Sequence, residues 1–169
     1  MKGRKGSDLT AHARPLWAPW RIQYITGSKK DACFLCAKAK GDDETNHVIA
    51  RGKLAFALLN TFPYNSGHVL VAPYRHVADL SLLTADELSE VMALILRVKE
   101  VMTTTLHPHG FNIGFNIGTP AGAGVADHVH GHIVPRWIGD TNFMPVLGDV
   151  RVVPQALDDT AKLLRDAWG

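Results

Sequence analysis

The residues of this chain best suited to chemistry are gathered in Asp127-His128-Val129-His130-Gly131-His132-Ile133-Val134-Pro135-Arg136, where three histidines occupy alternate positions. Side chains at i, i+2 and i+4 of an extended strand share one face, so the spacing predicts a row of three imidazoles. With nine histidines in 169 residues, such a triplet would arise by chance in roughly 2–3% of chains of this composition. Near neutral pH an imidazole can be nucleophile, proton donor or metal ligand. A neutral ring nitrogen can attack phosphorus and form a phosphoramidate, which splits one hard displacement into two easier ones. Flanking imidazoles can hold the non-bridging oxygens as charge develops on them. His130, the central member, is therefore the nucleophile candidate. A plain metal ladder and incidental clustering are the other readings. Catalysis is favoured by a further histidine at 68 and by the turn Thr119 to Gly124, whose small residues leave room for a phosphate and whose amides could donate to it.

Cys33-x-x-Cys36 supplies two ligands of a four-coordinate zinc site, and histidine is the usual complement. By residue type the candidates are His47, His76, His107, His109 and His128, and spacing does not choose among them. A redox pair is the rival, although nothing resembling a strand precedes the motif to open a thioredoxin-like unit. Two closely spaced cysteines in a chain without an export signal point to a reducing compartment, hence a cytoplasmic location.

These residues need elements to position them. Asn46 to Arg51 and Leu54 to Asn60 read as strands joined through Gly52-Lys53. Residues 61 to 67 read as a loop, and His68 to Ala72 as a strand halted by Pro73. Lys38 to Glu44 reads as a polar turn. Thr84-Ala85-Asp86-Glu87 is a capping-box pattern, after which Leu88, Val91, Met92, Ile95, Val98 and Met102 recur at helical spacing. A helix over about 85–105 should lay that face on a sheet, with its methionines in the core. Gly110 to Gly118, with Phe-Asn-Ile-Gly twice, reads as a strand, and the short turn after it implies an antiparallel return into the histidine strand. Pro154 could open a last helix with Leu157, Ala161, Leu164 and Trp168 on one face. Five strands, one long inserted helix and one trailing helix argue for an α+β domain.

Composition bounds the rest. The chain has 46% apolar residues and a formal charge of +2, which suits one globular domain over 15–169 and gives no nucleic-acid footprint. Lys2, Arg4 and Lys5 make residues 1–14 a basic tail. No apolar run approaches the ~18 residues of a membrane span, so no membrane partner is expected. Leu16-Trp17-Ala18-Pro19-Trp20-Arg21 holds two of the four tryptophans, a density expected to pack against the domain or a partner subunit.

His128-Val129-His130-Gly131-His132-Ile133-Val134 resembles the defining motif of the histidine-triad (HIT) superfamily, His-φ-His-φ-His-φ-φ with φ apolar. Upstream, Phe56-Ala57-Leu58-Leu59-Asn60, Pro63 and Gly67-His68-Val69-Leu70-Val71-Ala72-Pro73 look like the other half of that family's nucleotide site. The tryptophan-rich segment and Gly139-Asp140-Thr141-Asn142-Phe143-Met144-Pro145 resemble a bacterial branch associated with diadenosine tetraphosphate hydrolysis or phosphorolysis.

The resemblance implies a five-stranded antiparallel HIT-like sheet with the long helix packed on it, and an enzyme that passes a nucleotidyl group through a covalent histidine intermediate. His130 matches the nucleophile, His132 a phosphate contact, and His128 and His68 supporting positions. Asn60 matches a ribose-binding asparagine, and Asn116 and Gly118 match the strand lining the phosphates. Cys33, Cys36, His76 and His128 match the ligands of zinc-bearing members, where zinc is structural. An AMP-containing nucleotide is the implied substrate and a homodimer the implied assembly.

Water and phosphate remain open as acceptors, with hydrolysis favoured narrowly on family frequency. Two positions depart from the pattern. Gly131 stands where an apolar residue is usual, which questions local packing. Gly124 and Val125 stand where relatives often carry glutamine or a hydroxyl, which puts side-chain assistance to the leaving group in doubt. A nucleotide sensor without turnover and a zinc-organised interaction module are the rival functions. DNA-end repair is disfavoured by the missing basic patch.

Overall fold

The computed structural model describes residues 33–140 and 156–169. The expected tail over 1–14, the segment Leu16 to Arg21 and Pro154 lie outside the described residues. Five strands, β1 Val48–Arg51, β2 Ala55–Leu59, β3 Val69–Pro73, β4 Gly110–Phe115 and β5 Gly131–Arg136, form one antiparallel sheet in the order β1-β2-β3-β5-β4. The described helices are α1 Phe34–Lys40, α2 Ala85–Leu106 and α3 Leu157–Asp166. The α+β class, the five strands, the long helix and the trailing helix all stand as expected.

Strand alternation sorts the sheet into two faces. Ala55, Ala57, Leu59, Val69, Val71 and Ile133 meet Val91, Ile95, Val98 and Met102 of α2 and Ala161 and Leu164 of α3. Phe56, Leu58, Leu70 and Ala72 point the other way, where Leu35 of α1 covers them. Both faces of β2 and β3 are thus covered, and every residue of those strands is buried. His132 stands opposite Leu70 and Gly114 in the ladders, so it lies on the face away from α2.

Helix α2 starts at the expected capping box. Glu87 N–H donates to Thr84 Oγ1 (3.2 Å) and Thr84 N–H to Glu87 Oε2 (2.7 Å). It ends at His107, whose φ of 47° is left-handed, just before Pro108. Its sheet-facing stripe differs from the expected one. Leu88 and Met92 are each 39% exposed, because they line up with Leu96 along a neighbouring ridge while Val91, Ile95, Val98 and Met102 meet the sheet.

Three other expectations are corrected. Residues 38–40, read as a polar turn, form the end of α1, anchored by Leu35. Strand β4 stops at Phe115 and does not reach Gly118, whose φ of 80° leads into a short 3-10 turn, Thr119–Ala121. The histidine row is not one ladder-bonded strand, since β5 begins at Gly131 and contains only His132. His128 and His130 precede it, where Val129 N–H donates to Val77 O (2.7 Å).

Gly131, the departure in the histidine motif, has a packing reason. A Cβ at this position would stand 2.9 Å from Ile95 Cδ1 and 3.0 Å from Phe115 Cε1. Helix α2 and β4 crowd the sheet there, so that a side chain would have to push Ile95 and Phe115 aside.

Candidate active site

His130 is 4% exposed, and its Nδ1 lies 2.8 Å from the carbonyl oxygen of His128. A carbonyl only accepts, so His130 Nδ1 carries a proton and donates. Burial pushes this imidazole below its ordinary value, opposed by that same hydrogen bond. A neutral ring protonated on Nδ1 leaves its lone pair on Nε2.

The state of His132 follows from a chain of contacts. Tyr64 N–H donates to His68 Nδ1 (3.1 Å), and Asn60 Nδ2 lies 3.3 Å from the same atom. A backbone amide is always a donor, so in neutral His68 the proton sits on Nε2. That atom is 3.0 Å from His132 Nδ1 and donates to it, which leaves the His132 proton on Nε2. His132 is pushed down to about 4, first by burial and then by the neighbouring His130, against which a second positive charge would stand. Asn116 Nδ2 lies 3.4 Å from His132 Nε2 and 3.5 Å from Gly122 O. With His132 Nε2 protonated, its contact with Asn116 Nδ2 sets donor against donor and is not a hydrogen bond; an acceptor shared by the two N–H groups, such as a phosphoryl oxygen, would relieve it. The rings cluster accordingly, with His130 and His132 centroids 4.9 Å apart and His68 and His132 5.2 Å apart.

Local sequence sets these positions. His68 opens β3 after Gly67, which adopts φ 74° and passes so near Leu106 and Pro135 that a Cβ there would stand 2.9 and 3.1 Å from them. Asn60 closes the opposite end of the loop by accepting Phe62 N–H on Oδ1 (2.9 Å). Asn116 follows β4 by one residue on the His132 face. The turn after it is less open than expected. The amides of Ala121 and Ala123 bond to Gly118 O and that of Gly122 to Thr119 O, so they donate within the turn.

His128 belongs to a second cluster. Cys33, Cys36, His76 and His128 bring their ligand atoms within 4.8 Å of one another. His128 Nδ1 is 3.2 Å from Cys33 Sγ and 3.5 Å from Cys36 Sγ, and His76 Nδ1 is 3.4 Å from Cys36 Sγ. A tetrahedral zinc with ordinary bond lengths needs N···S separations of about 3.6 Å. His128 Nε2–H donates to Pro73 O (2.9 Å), which directs the Nδ1 lone pair at the thiols. The cluster can hold a metal ion and its donor set fits zinc. His47, His107 and His109 are excluded from it. His47 faces Asp158 at 3.4 Å, His109 Nδ1 accepts from Ile138 N–H, and His107 ends α2.

The structure thus brings His68, Asn60, Asn116, His130 and His132 together, with Gly118 at the start of the adjoining turn. It also adds residues the sequence reading passed over. Tyr64 is 56% exposed, and its ring stacks near His132 with centroids 5.7 Å apart and 17° between planes. Asn65 and Asp140 hydrogen-bond to each other behind the site. In sequence, Tyr64 and Asn65 look like loop residues between Pro63 and Gly67, and Asp140 like part of a Gly-Asp turn.

The HIT domain family profile matches residues 42–137. A Mycobacterium tuberculosis protein described as AP-4-A phosphorylase is 43% identical over 90% of this chain and 83% of its own length. A Schizosaccharomyces pombe bis(5'-nucleosyl)-tetraphosphatase (asymmetrical) is 40% identical over 54% of this chain and 50% of its own. Among solved structures, a zinc-bound histidine triad family protein from Mycobacterium smegmatis superposes with a TM-score of 0.65 at 26% identity. That match covers 81% of this chain and 93% of the other. A profile spanning more than half of the chain, together with a relative this similar over nearly all of it, establishes that the chain belongs to the HIT family.

Proposed function

We propose that this protein cleaves a dinucleoside polyphosphate of the diadenosine tetraphosphate type through a nucleotidyl-His130 intermediate. The observation that carries the reading is the His130 Nδ1–H bond to the His128 carbonyl, which leaves the lone pair on Nε2 and supports His130 as the nucleophile. His130 Nε2 attacks the α-phosphorus, forming a P–N bond as the P–O bond to the outgoing nucleotide breaks. The His128 carbonyl stabilises the positive charge that grows on the ring. His132 Nε2–H and Asn116 Nδ2–H receive the non-bridging oxygens, with His68 supporting His132, Asn60 on the ribose and Gly118 lining the phosphates. An acceptor oxygen then attacks phosphorus, the P–N bond breaks, and His130 is regenerated.

Phosphate is the acceptor favoured here, because the relative similar over nearly the whole chain is described as a phosphorylase. It would convert diadenosine tetraphosphate to ADP and ATP. Water, the acceptor expected on family frequency and the reading the tetraphosphatase relative supports, would give AMP and ATP. Zinc held by Cys33, Cys36, His76 and His128 would cross-link the scaffold. None of its ligands other than His128 belongs to the triad, and the lone pair of His128 is turned from the substrate. A cytoplasmic homodimer, with residues 15–169 as one domain behind a basic tail at 1–14, completes the proposal.

Incubation with diadenosine tetraphosphate, with and without phosphate, followed by separation of products, tests it. ADP plus ATP appearing only with phosphate is the expected result. His130→Ala should lower turnover by roughly a thousandfold or more while still binding nucleotide. A His130→Ala protein as active as wild type would end the covalent reading.

A further inference from the structure

We propose that Asn65 and Asp140 act as a positioning pair for the reaction. They hold the loop between β2 and β3 where Tyr64 N–H keeps His68, and through it His132, in the tautomer that offers a proton to the substrate phosphate. The inference rests on the nucleotidyl-transfer reading above and assigns a task to two residues outside the triad.

Asp140 has a side chain only 7% exposed, yet its carboxylate is fully engaged. It accepts from Arg136 Nε (2.6 Å) and Nη2 (2.8 Å), from Trp137 N–H (3.1 Å) and from Asn65 Nδ2 (2.8 Å). Arg136 is fixed in turn, donating from Nη1 to Asn112 Oδ1 (2.8 Å) on β4. A carboxylate in this setting is a rigid acceptor, because moving it would strand buried charge. Asn65 is engaged through its side-chain amide and its carbonyl. Its Nδ2 also donates to Pro135 O (3.3 Å), its Oδ1 accepts from Ser66 N–H (3.0 Å), and its carbonyl accepts from His68 N–H (3.2 Å). Gly67 is seated against Pro135 as well. The loop is therefore fastened to the end of β5 by Asn65, which immediately follows the residue whose amide holds His68.

The consequence of releasing that fastening is chemical. The two neutral tautomers of imidazole differ little in intrinsic energy, so a neighbouring donor selects between them. Without the Tyr64 amide, His68 can carry its proton on Nδ1 and turn an acceptor toward His132. His132 would then donate from Nδ1 and leave a bare lone pair on Nε2, facing an anionic phosphate. The oxygen-binding N–H next to His130 would be replaced by a repulsive acceptor.

Two variants test this, Asn65→Ala, which removes the tether, and Asp140→Asn, which keeps its shape and drops the charge. The first readout is imidazole 15N NMR of the metal-loaded protein, which reports the protonated nitrogen of each ring without substrate. Wild type should show Nε2–H at both His68 and His132, and Asn65→Ala should show Nδ1–H populations at both. The second is steady-state kinetics with diadenosine tetraphosphate. Displacement of a group by about 1 Å costs up to ~100-fold in rate, so kcat should fall about 10- to 100-fold in Asn65→Ala, with a much smaller change in KM. Asp140→Asn should fall in the same direction by less, and the double variant should be no worse than Asn65→Ala alone, since both residues serve one link. The proposal is overturned if either variant folds with the wild-type tautomers at His68 and His132. It is equally overturned if kcat falls only in proportion to a fall in Tm. The tautomer measurement stands apart from turnover, so a wild-type protein that cleaved nothing would remove the proposed reaction and still leave the pairing open to refutation.

Discussion

At the scale of single residues, His132 is held neutral by two influences that act together. Burial disfavours its charged form, and the neighbouring His130 adds to that, which takes it from 6.5 to about 4. Its Nδ1 must also stay unprotonated to accept from His68. In the unfolded chain the ring titrates near its ordinary value, so below pH 6.5 the unfolded state binds more protons than the folded one. Stability linked to this residue is complete above 6.5 and is lost progressively as pH falls toward 4. His128 and His130 shift in the same direction through burial. Asp140 and Glu87, lowered to about 2 by Arg136 and Arg75 respectively, act only beneath their ordinary values of 3.8 and 4.5. Acid loss of stability between pH 6.5 and 4.5 is thus assigned to the histidines. Turnover should hold across pH 6.5 and decline only below it, because burial lowers both His130 and His132 from the ordinary imidazole value. A pH profile of kcat/KM with its acid limb centred at 6.5 would contradict this account of the triad.

Elements show which parts of the fold can be read locally. The capping box at Thr84 and Glu87 was legible because all its atoms lie within one turn. The adjacency of His130 and His132, with ring centroids 4.9 Å apart, was legible from strand alternation, whereas His128 lies in a bend before the strand and gives its side chain to the cysteine cluster. The sheet-facing ridge of α2 was not, because Leu88 and Met92 satisfy the helical period as well as Val91 and Ile95 do. Only the tertiary placement of the helix separates them. Gly131 belongs to the same class, looking like a weakness in sequence and explained by the approach of Ile95 and Phe115. That explanation predicts a cost. Alanine would relieve the conformational freedom of glycine, worth ~0.5–1 kcal/mol, and meet only the tips of two side chains. Valine adds two methyl groups against the 1%-exposed Ile95 and should destabilise by about 1–3 kcal/mol through overpacking. Urea midpoints of the two variants test this, and a Gly131→Val protein as stable as wild type would show that α2 does not press on this point.

The metal cluster joins segments that the whole molecule must bring together, and for that reason residue type and spacing could propose its ligands without choosing them, the choice of His76 and His128 coming from the family resemblance. Cys33 and Cys36 are separated by two residues, whereas Cys33 and His128 stand 95 apart, and His47 lies nearer in sequence to the cysteines than either true partner. One ion at this site would tie the start of α1, the stretch after β3 and the approach to β5. Such a site forms only in the folded chain, so its binding energy adds to folding stability, by about 4 kcal/mol when free metal exceeds Kd a thousandfold. Its effect should reach His130 through one residue. His128 gives its side chain to the metal cluster and its carbonyl to His130 Nδ1–H. Chelation should therefore lower Tm markedly and, at temperatures where the chain stays folded, reduce kcat. Because no metal ligand offers its lone pair to substrate, cadmium, which also accepts tetrahedral thiolate and imidazole ligands, should restore both Tm and kcat as zinc does. A cadmium protein with restored Tm but low kcat would give the ion a part in the chemistry, and a metal-free protein with an unchanged Tm would remove its part in the scaffold.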